Sequence, residues 1–280
     1  MQTPVQSHTI LRFQEQHFQS EQDLLAVEEP LQILVQYGEA ASRNEKVFTL
    51  TMRTPGHDHE LAIGLALSEG LIPSPQAISK LYHCQQVEAE ARGNVLKMQL
   101  KPHILPHWPS VERNLSSNAS CGICGKTNLD AIKTDCQPIS VEEAYLRSEV
   151  LARLVDALGE RQSLFRHTGG IHAAALYDAD GHLLILREDI GRHNALDKLI
   201  GAIAAKPEIL PGTSILLLSG RVGFELVQKA ARAGLPSIVA LGAPSSLAVA
   251  LAQQQGQTLI GFLKPGRFNV YCFAERLVKC

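Results

Sequence analysis

The chain has 280 residues, an apolar content of 45% and a formal net charge of −2 at pH 7. That length suffices for one large domain or two smaller ones, and the apolar content is ordinary for a packed globular protein. The charge excludes a general attraction to nucleic acid or to a membrane surface, and no stretch approaches the roughly 18 apolar residues of a transmembrane span. We therefore expect a cytoplasmic protein that binds neither nucleic acid nor membrane.

The N-terminal part of the chain reads as strands around one helix. The candidate strands are LQILVQ, KVFTLTM and NVLKMQL. The segment HELAIGLALSEGLI between the second and third strands has a helical period, with Leu61 and Leu65 on its apolar face and Gly70 at its end. This pattern predicts a small α+β domain over residues 1–101.

A long segment of irregular composition follows, which we interpret as a mobile loop over residues 102–140. From Pro102 to Ser120 the chain reads PHILPHWPSVERNLSSNAS and sustains no apolar period of a strand or a helix. This loop carries the pentapeptide CGICG, which places Cys121 and Cys124 at Cys-x-x-Cys spacing. Loop composition indicates that both thiols are exposed.

Three chemistries use Cys-x-x-Cys: half of a zinc site, a redox dithiol, and a thiolate that carries a group in transit. Zinc needs further ligands, but the six cysteines include no second such pair, and the prolines around His103 and His107 disfavour a helix that would aim both rings at a metal. A thioredoxin-like dithiol would follow a strand, which is missing before Cys121. The pattern favours a mobile carrier thiolate, with no metal ion of the protein's own.

The region 141–280 opens with a helical segment, VEEAYLRSEVLARLVDALGE, which we expect to bridge the two halves. Next, HAAALYD and HLLILRE flank a turn and predict a hairpin. Helical segments then alternate with the short apolar runs SILLLS, SIVAL and TLIGFL. This alternation predicts a three-layer α/β/α sandwich in which a hairpin enters a mostly parallel sheet.

Ligands of such sheets bind beyond the carboxyl ends of the strands, so the residues that follow each strand are candidates for a binding site. Those segments are rich in glycine and in positive charge. Four cations are candidates for holding phosphates: Arg192, Arg221, Lys264 and Arg267. Asp189, after the hairpin, is a candidate acceptor for a base or a ribose, although the alternative that it caps the following helix stays open.

A further candidate, His172, lies in the segment TGGIHAAA. Zinc nucleobase deaminases carry His-x-Glu followed by a Cys-x-x-Cys pair, because the glutamate moves protons and three ligands activate a water. Here Ala174 replaces that glutamate, and the Cys-x-x-Cys lies before His172 rather than after it. The deaminase machinery is therefore absent, and His172 is either a ligand contact or a structural side chain.

Together these segments resemble the FdhD family, sulfur carriers that are required for formate dehydrogenase activity. The resemblance runs from about Glu29 to about Tyr271, in the order CGICGK, TGGIHAAAL, REDIGRHNALDKLIG, SGRVGFELVQKA, SSLAVALA and TLIGFLKPGRFNVY. It implies a cytidine-deaminase-like C-terminal domain without deaminase chemistry, and a homodimer. One departure is Gly223, which stands where the family usually has a serine.

The resemblance also implies the reaction. Such a sulfurtransferase receives persulfide sulfur from a cysteine desulfurase and transfers it to the molybdenum cofactor, in its bis(molybdopterin guanine dinucleotide) form, before insertion into formate dehydrogenase. Cys121 would carry the persulfide and Cys124 would assist or resolve it. The residues that we expect to contact the cofactor are Ile260, Gly261, Phe262, Leu263, Lys264, Pro265, Arg221, Asp189, His172 and Gly170. Two alternatives are a non-catalytic cofactor chaperone and a zinc-dependent nucleotide hydrolase.

Overall fold

The N-terminal half contains a ribbon and a small sheet covered by one helix. This computed structural model describes residues 2–108, 138–141, 145–209 and 211–278. Its N-terminal elements are β1 (Val5–Gln14), β2 (His17–Ala26), β3 (Glu29–Tyr37), β4 (Asn44–Arg53), α1 (Asp58–Ser68), β5 (Ile78–His83) and β6 (Val95–Leu100). Strands β3 to β6 form a four-stranded sheet in the order β4-β3-β6-β5. The three predicted strands and the predicted helix are therefore confirmed.

Two features of this half were not predicted from the sequence. Edge strand β5 has no alternating burial, so its residues give no period of two. Strands β1 and β2 pair only with each other, through a turn in which Glu15 and Gln16 have φ values of 51° and 66°. Such turns usually contain asparagine or glycine, so the sequence carries no turn signal there.

The beginning of the predicted loop belongs to the N-terminal core. Ile104 and Trp108 pack against this core, and the Trp108 ring meets the Tyr37 ring edge-on with 5.8 Å between centroids. The backbone N of His107 donates to the carbonyl of Leu71 over 2.9 Å. Residues 102–108 are thus part of the small domain, while residues 109–137 lie outside the described residues.

The C-terminal half is built on a six-stranded sheet in the order β13-β12-β11-β10-β8-β9. Its elements are β7 (Leu146–Arg147), α2 (Ser148–Arg161), α3 (Ser163–Thr168), β8 (His172–Tyr177), β9 (Leu183–Asp189), α4 (Arg192–Ala204), β10 (Ile215–Leu218), α5 (Phe224–Arg232), β11 (Ser237–Ala240), α6 (Ser246–Gln254), β12 (Thr258–Lys264), β13 (Arg267–Cys272) and β14 (Leu277–Val278). Strands β7 and β14 form a separate small pair.

The predicted α/β/α sandwich is confirmed. Helices α4, α5 and α6 bury one face of the large sheet, and α2 buries the other. Two details differ from the expectation. Strands β12 and β13 form a second hairpin at the far edge, so only β10, β11 and β12 run parallel. Helix α2 begins at Ser148 and packs on the sheet instead of bridging the halves, because Val150, Leu151 and Leu154 all face the sheet core.

The two halves meet where α1 crosses α4. A Cβ atom on Gly64 would lie 1.8 Å from the carbonyl oxygen of Asp197, and one on Gly201 would lie 1.9 Å from that of Glu60. The two helix backbones are therefore in direct contact, which only glycine permits. Among the described residues, no helix is both long and apolar enough to cross a membrane.

Candidate functional site

One edge of the large sheet gathers most of the predicted binding residues. Strands β10, β11 and β12 end at this edge, antiparallel β8 begins there, and β9 ends there. We call it the carboxyl edge and define it as His172 and residues 189–193, 219–221, 241–245 and 261–262. Its loops are joined by backbone hydrogen bonds, from Leu241 N to Leu218 O over 3.0 Å and from Phe262 N to Gly242 O over 3.1 Å. The strand ends predicted to form the site therefore do lie side by side.

The glycines that follow these strands are required by close contacts between the loops. A Cβ on Gly242 would lie 2.8 Å from the backbone N of Arg221, and one on Gly261 would lie 3.2 Å from the carbonyl oxygen of Gly242. A Cβ on Gly220 would lie 3.3 Å from Nδ1 of His172. Gly220 thus leaves the space that the His172 ring occupies.

His172 is half-buried at the start of β8. Burial lowers the pKa of its imidazole, and the electrostatic influence of Arg192 and His193 lowers it further, against an opposing contribution from Asp189. The ring is therefore uncharged at neutral pH, with one nitrogen that donates a hydrogen bond and one that accepts. Those properties suit contact with the polar edge of a ligand.

Asp189 has a different role from the predicted contact with a base or ribose. Its side chain is fully buried, and Oδ2 lies 2.7 Å from Nζ of Lys198. The carboxylate also accepts from the backbone N of Gly191 over 2.9 Å and from that of Thr54 over 3.2 Å. Burial raises the pKa of Asp189, and Lys198 opposes that rise. We correct the prediction, because all these partners lie within the protein and the side chain has no exposed surface to offer a ligand.

The segment Ile260–Pro265 is only partly available to a ligand. The side chains of Ile260 and Leu263 lie in the core beneath α2, with 0% and 1% exposed surface, so their predicted side-chain contacts are corrected. The ring of Phe262 is 43% exposed, on a residue with φ 54°. Lys264 and Pro265 are also exposed, at the turn between β12 and β13. Contact through these three side chains stays a prediction.

Two further predicted residues are exposed, and their ligand contacts stay predictions. Arg221 follows β10, and Gly170 follows the C-cap of α3, Gly169, which has φ 65°. The start of α3 is held by Glu188, whose carboxylate accepts from the backbone N of Leu164 over 3.1 Å and of Phe165 over 3.0 Å. This contact sets the approach of the chain to His172.

Besides His193, a candidate by the same argument as His172, the carboxyl edge is shaped by Lys198 and Thr54, which sequence reasoning missed. His193, at the start of α4, has Nε2 2.8 Å from Oε2 of Glu225. Lys198 and Thr54 contact Asp189 from a helix and from the N-terminal half. No local pattern could have found these two, since lysine on a helix is ordinarily exposed and Thr54 is distant in the sequence.

Cys121 and Cys124 lie outside the described residues. The described chain stops at Trp108 on the N-terminal sheet and resumes at Pro138, close to α6, where Ile139 N donates to Gln255 O over 2.9 Å. The two described cysteines, Cys84 and Cys272, are buried free thiols.

One group of potential metal ligands exists among the described residues. The group lies at the turn between β8 and β9, at the other end of β8 from His172, and consists of Asp178, Asp180 and His182. Oδ1 of Asp178 accepts from the backbone N of Asp180 and of His182, each over 2.9 Å. This is the local bonding with which an aspartate closes a turn. The absence of a resident metal stays a prediction.

Comparisons with known proteins agree over nearly the whole chain. The model of the FdhD/NarQ family matches residues 26–278. A sulfur carrier protein FdhD of Streptomyces coelicolor is 40% identical, with 96% of this chain and 94% of the relative covered. The sulfur carrier protein FdhD of Mycobacterium tuberculosis is 43% identical, with 91% and 92% covered. The crystal structure of a formate dehydrogenase accessory protein from Desulfotalea psychrophila, 22% identical, matches with a TM-score of 0.75 over 98% of this chain and 100% of that one, which shows the same fold.

Proposed function

Because the chain belongs to the FdhD/NarQ family, we propose that it is a sulfur carrier that serves the maturation of formate dehydrogenase. The observation that carries this proposal is the 40% identity, over 96% of the chain, to a relative named as a sulfur carrier. The exposed Cys-x-x-Cys that the sequence predicts supplies a chemically suitable carrier. The donor would be a cysteine desulfurase, and the acceptor would be the molybdenum cofactor in its bis(guanine dinucleotide) form.

The transfer is thiol–disulfide chemistry at Cys121. The Cys121 thiolate attacks the outer sulfur of the desulfurase persulfide, a new S–S bond forms, and the desulfurase thiolate leaves. Cys124 then attacks the Cys121 sulfur, which closes a disulfide and releases the outer sulfur as hydrosulfide for the acceptor. The two thiols supply the electrons, so the protein acts as a sulfurtransferase. A thiol reductant of the cell then opens the Cys121–Cys124 disulfide and is itself oxidised to a disulfide.

The carboxyl edge supports binding of a guanine dinucleotide as the acceptor substrate. Arg221, Lys264 and Arg267 are exposed cations near its strand ends and suit phosphate groups. The exposed ring of Phe262 offers a stacking surface for a base. The neutral imidazole of His172 offers a donor and an acceptor to a guanine edge.

The remaining parts of this proposal concern partners and location. We infer a homodimer that acts in the cytoplasm and meets two partner proteins, the cysteine desulfurase and formate dehydrogenase. The resemblance of the sequence motifs to the family supports these inferences. A ready test of the dimer is sedimentation equilibrium of the purified protein.

Native intact-mass spectrometry tests the carrier role. The purified protein is measured before and after incubation with a cysteine desulfurase and cysteine. We expect a gain of one sulfur atom that reductant removes and that Cys121→Ala abolishes. Cys136→Ala is the matched control, since it removes a cysteine outside the Cys-x-x-Cys pair and should keep the gain.

Two results would count against the carrier role. If Cys121→Ala takes up as much sulfur as the parent protein, the sulfur is bound to a residue other than Cys121. Bound zinc without sulfur uptake would make the cysteine pair structural, and would favour a non-catalytic chaperone that binds the guanine dinucleotide and passes it on.

A further inference from the structure

Beneath the carboxyl edge lies a buried ion pair for which the proposed sulfur transfer has no use. Nζ of Lys198 and Oδ2 of Asp189 are 2.7 Å apart, and their side chains are 1% and 0% exposed. Removing two charges from water costs several kcal/mol per ion, and apolar residues of similar volume often stabilise a core as well or better. Stability alone therefore gives no reason for this pair.

The pair is completed by Thr54, which comes from the turn between β4 and α1 in the N-terminal half. Nζ of Lys198 donates to the carbonyl oxygen of Thr54 over 2.8 Å, and the backbone N of Thr54 donates to Oδ2 of Asp189 over 3.2 Å. Oγ1 of Thr54 accepts from the backbone N of Ile190 over 3.1 Å. Thr54 itself is 1% exposed. Three hydrogen bonds thus tie the N-terminal half to the C-terminal half, two of them at the end of β9 and one to α4.

The opposite side of the same carboxylate holds the turn that leads into α4. Oδ1 of Asp189 accepts from the backbone N of Gly191 over 2.9 Å, and Arg192 and His193 follow in the first turn of the helix. Asp189 is also the cross-strand partner of His172. The buried pair therefore lies directly behind the turn that carries Arg192 and His193, beside the strand position of His172.

We propose that Lys198, Asp189 and Thr54 are positioning residues, which fix the turn of residues 190–193 against His172 so that Arg192 and His193 meet the guanine dinucleotide. The N-terminal half then takes part in substrate binding without touching the substrate. The nucleotide part of this inference rests on the proposed function, whereas the placement of the turn beside His172 does not.

The chain offers a matched control in a second buried lysine. Lys229 lies 2.9 Å from Oδ1 of Asp197 and donates to Ser68 over 2.8 Å, where α1, α4 and α5 meet, and its side chain is 6% exposed. It resembles Lys198 in burial and in pairing with one aspartate of α4 or β9, and its N-terminal partners are Ser68 and, over 3.1 Å, the carboxylate of Glu69. Its partners, however, are not in the carboxyl edge. Lys198→Met and Lys229→Met therefore remove comparable ion pairs, of which only one lies behind the turn.

The test measures the Kd of GDP by calorimetry, the Tm of each variant, and the NMR signals of the His172 ring in the absence of nucleotide. We expect Lys198→Met to weaken GDP binding at least about tenfold, which corresponds to about 1.4 kcal/mol, and to shift the His172 signals. Lys229→Met should lower the Tm but leave GDP affinity within about twofold and the His172 signals in place. Thr54→Val removes one acceptor with little change of shape, and should weaken GDP binding about threefold.

The outcomes separate this inference from the proposed function. Unchanged GDP affinity and unmoved His172 signals in Thr54→Val and in a folded Lys198→Met would overturn the inference. Equal effects of Lys198→Met and Lys229→Met on the His172 signals would overturn it too. Both signal changes would then reflect a loss of rigidity throughout the fold and not the position of the turn. A parent protein that binds no GDP would contradict the proposed substrate, while shifted His172 signals in Lys198→Met alone would still uphold the positioning role. If Lys198→Met does not fold, Thr54→Val decides by the same two readouts.

Discussion

The protonation state of His172 is set by neighbours that lie far apart in the sequence. Burial, Arg192 and His193 together lower its pKa below the ordinary value of 6.5. Its unfolded form therefore binds a proton at a higher pH than its folded form does. The stability that depends on the neutral ring is complete above pH 6.5 and decreases as the pH falls from 6.5 towards the lower folded pKa.

We predict that His172→Gln makes stability less dependent on pH in that window. The variant lacks the group that takes up a proton on unfolding. Its free energy of unfolding should therefore decrease less than that of the parent between pH 7.5 and pH 5.5, by up to about 1 kcal/mol. Urea unfolding at the two pH values measures this difference. His8→Gln, in the exposed β1–β2 ribbon, is the control and should follow the parent. An equal loss in His172→Gln and the parent would contradict the prediction.

Single residues also show where sequence reasoning reached its limit. The motifs correctly indicated that the end of β12 and the end of β9 lie at one edge. They did not show that Ile260, Leu263 and Asp189 turn inward, while Phe262 and Lys264 turn outward. The direction of a side chain at a strand end depends on a local bulge and on what packs beneath it, and β12 has register shifts within this segment.

At the scale of the elements, α1 and α4 bring the backbones of the two halves into direct contact. Gly64 and Gly201 face the partner helix backbone, where a Cβ would lie within 1.9 Å of a carbonyl oxygen. The sequence predicted both helices from their periods. It gave no sign that these two glycines meet, because a glycine in a helical segment otherwise indicates only a weaker helix.

We predict that Gly64→Ala and Gly201→Ala each lower the free energy of unfolding by about 1–3 kcal/mol or more, because the helices must move apart. Gly159→Ala is the control: Gly159 lies in α2 with no atom within 4 Å of a Cβ position. That substitution should be neutral or should stabilise the protein by up to about 1 kcal/mol, since alanine is the better helix former. Urea titrations of the three variants measure the differences. A neutral Gly64→Ala would show that the helices are not in backbone contact.

At the scale of the whole molecule, the layers form a continuous stack. The N-terminal sheet packs on α1, α1 packs on α4, α4 lies on one face of the large sheet, and α2 covers the other face. Buried polar groups cross the boundary between the halves, among them Lys198 to Thr54, Lys229 to Ser68 and Asn194 to the carbonyl oxygen of Met52. Separating the halves would remove the N-terminal partners of these groups, and a polar group left without a partner is costly in a protein interior.

We therefore predict that the two halves unfold together. Trp108, the single tryptophan of the chain, packs against Tyr37 on the N-terminal sheet, so its fluorescence reports on that half. Its urea transition should coincide with the far-UV circular dichroism transition, to which both halves contribute. Gly64→Ala weakens the contact between the halves, so in this variant the fluorescence and circular dichroism transitions should occur at different urea concentrations. A fluorescence transition at clearly lower urea in the parent would mean that the small domain unfolds by itself.

Local patterns predicted strands β8 to β12 and the helices α4, α5 and α6 between them, and they revealed the missing deaminase glutamate at Ala174 and the motifs that identify the family. These features are encoded locally, because hydrophobic period and residue spacing act over a few residues. The folded structure was needed to show that Asp189 pairs with Lys198, that Thr54 completes the pair, and that α2 covers the sheet instead of bridging the halves. Such contacts join residues distant in the chain, and they depend on how whole elements pack, which no local pattern records.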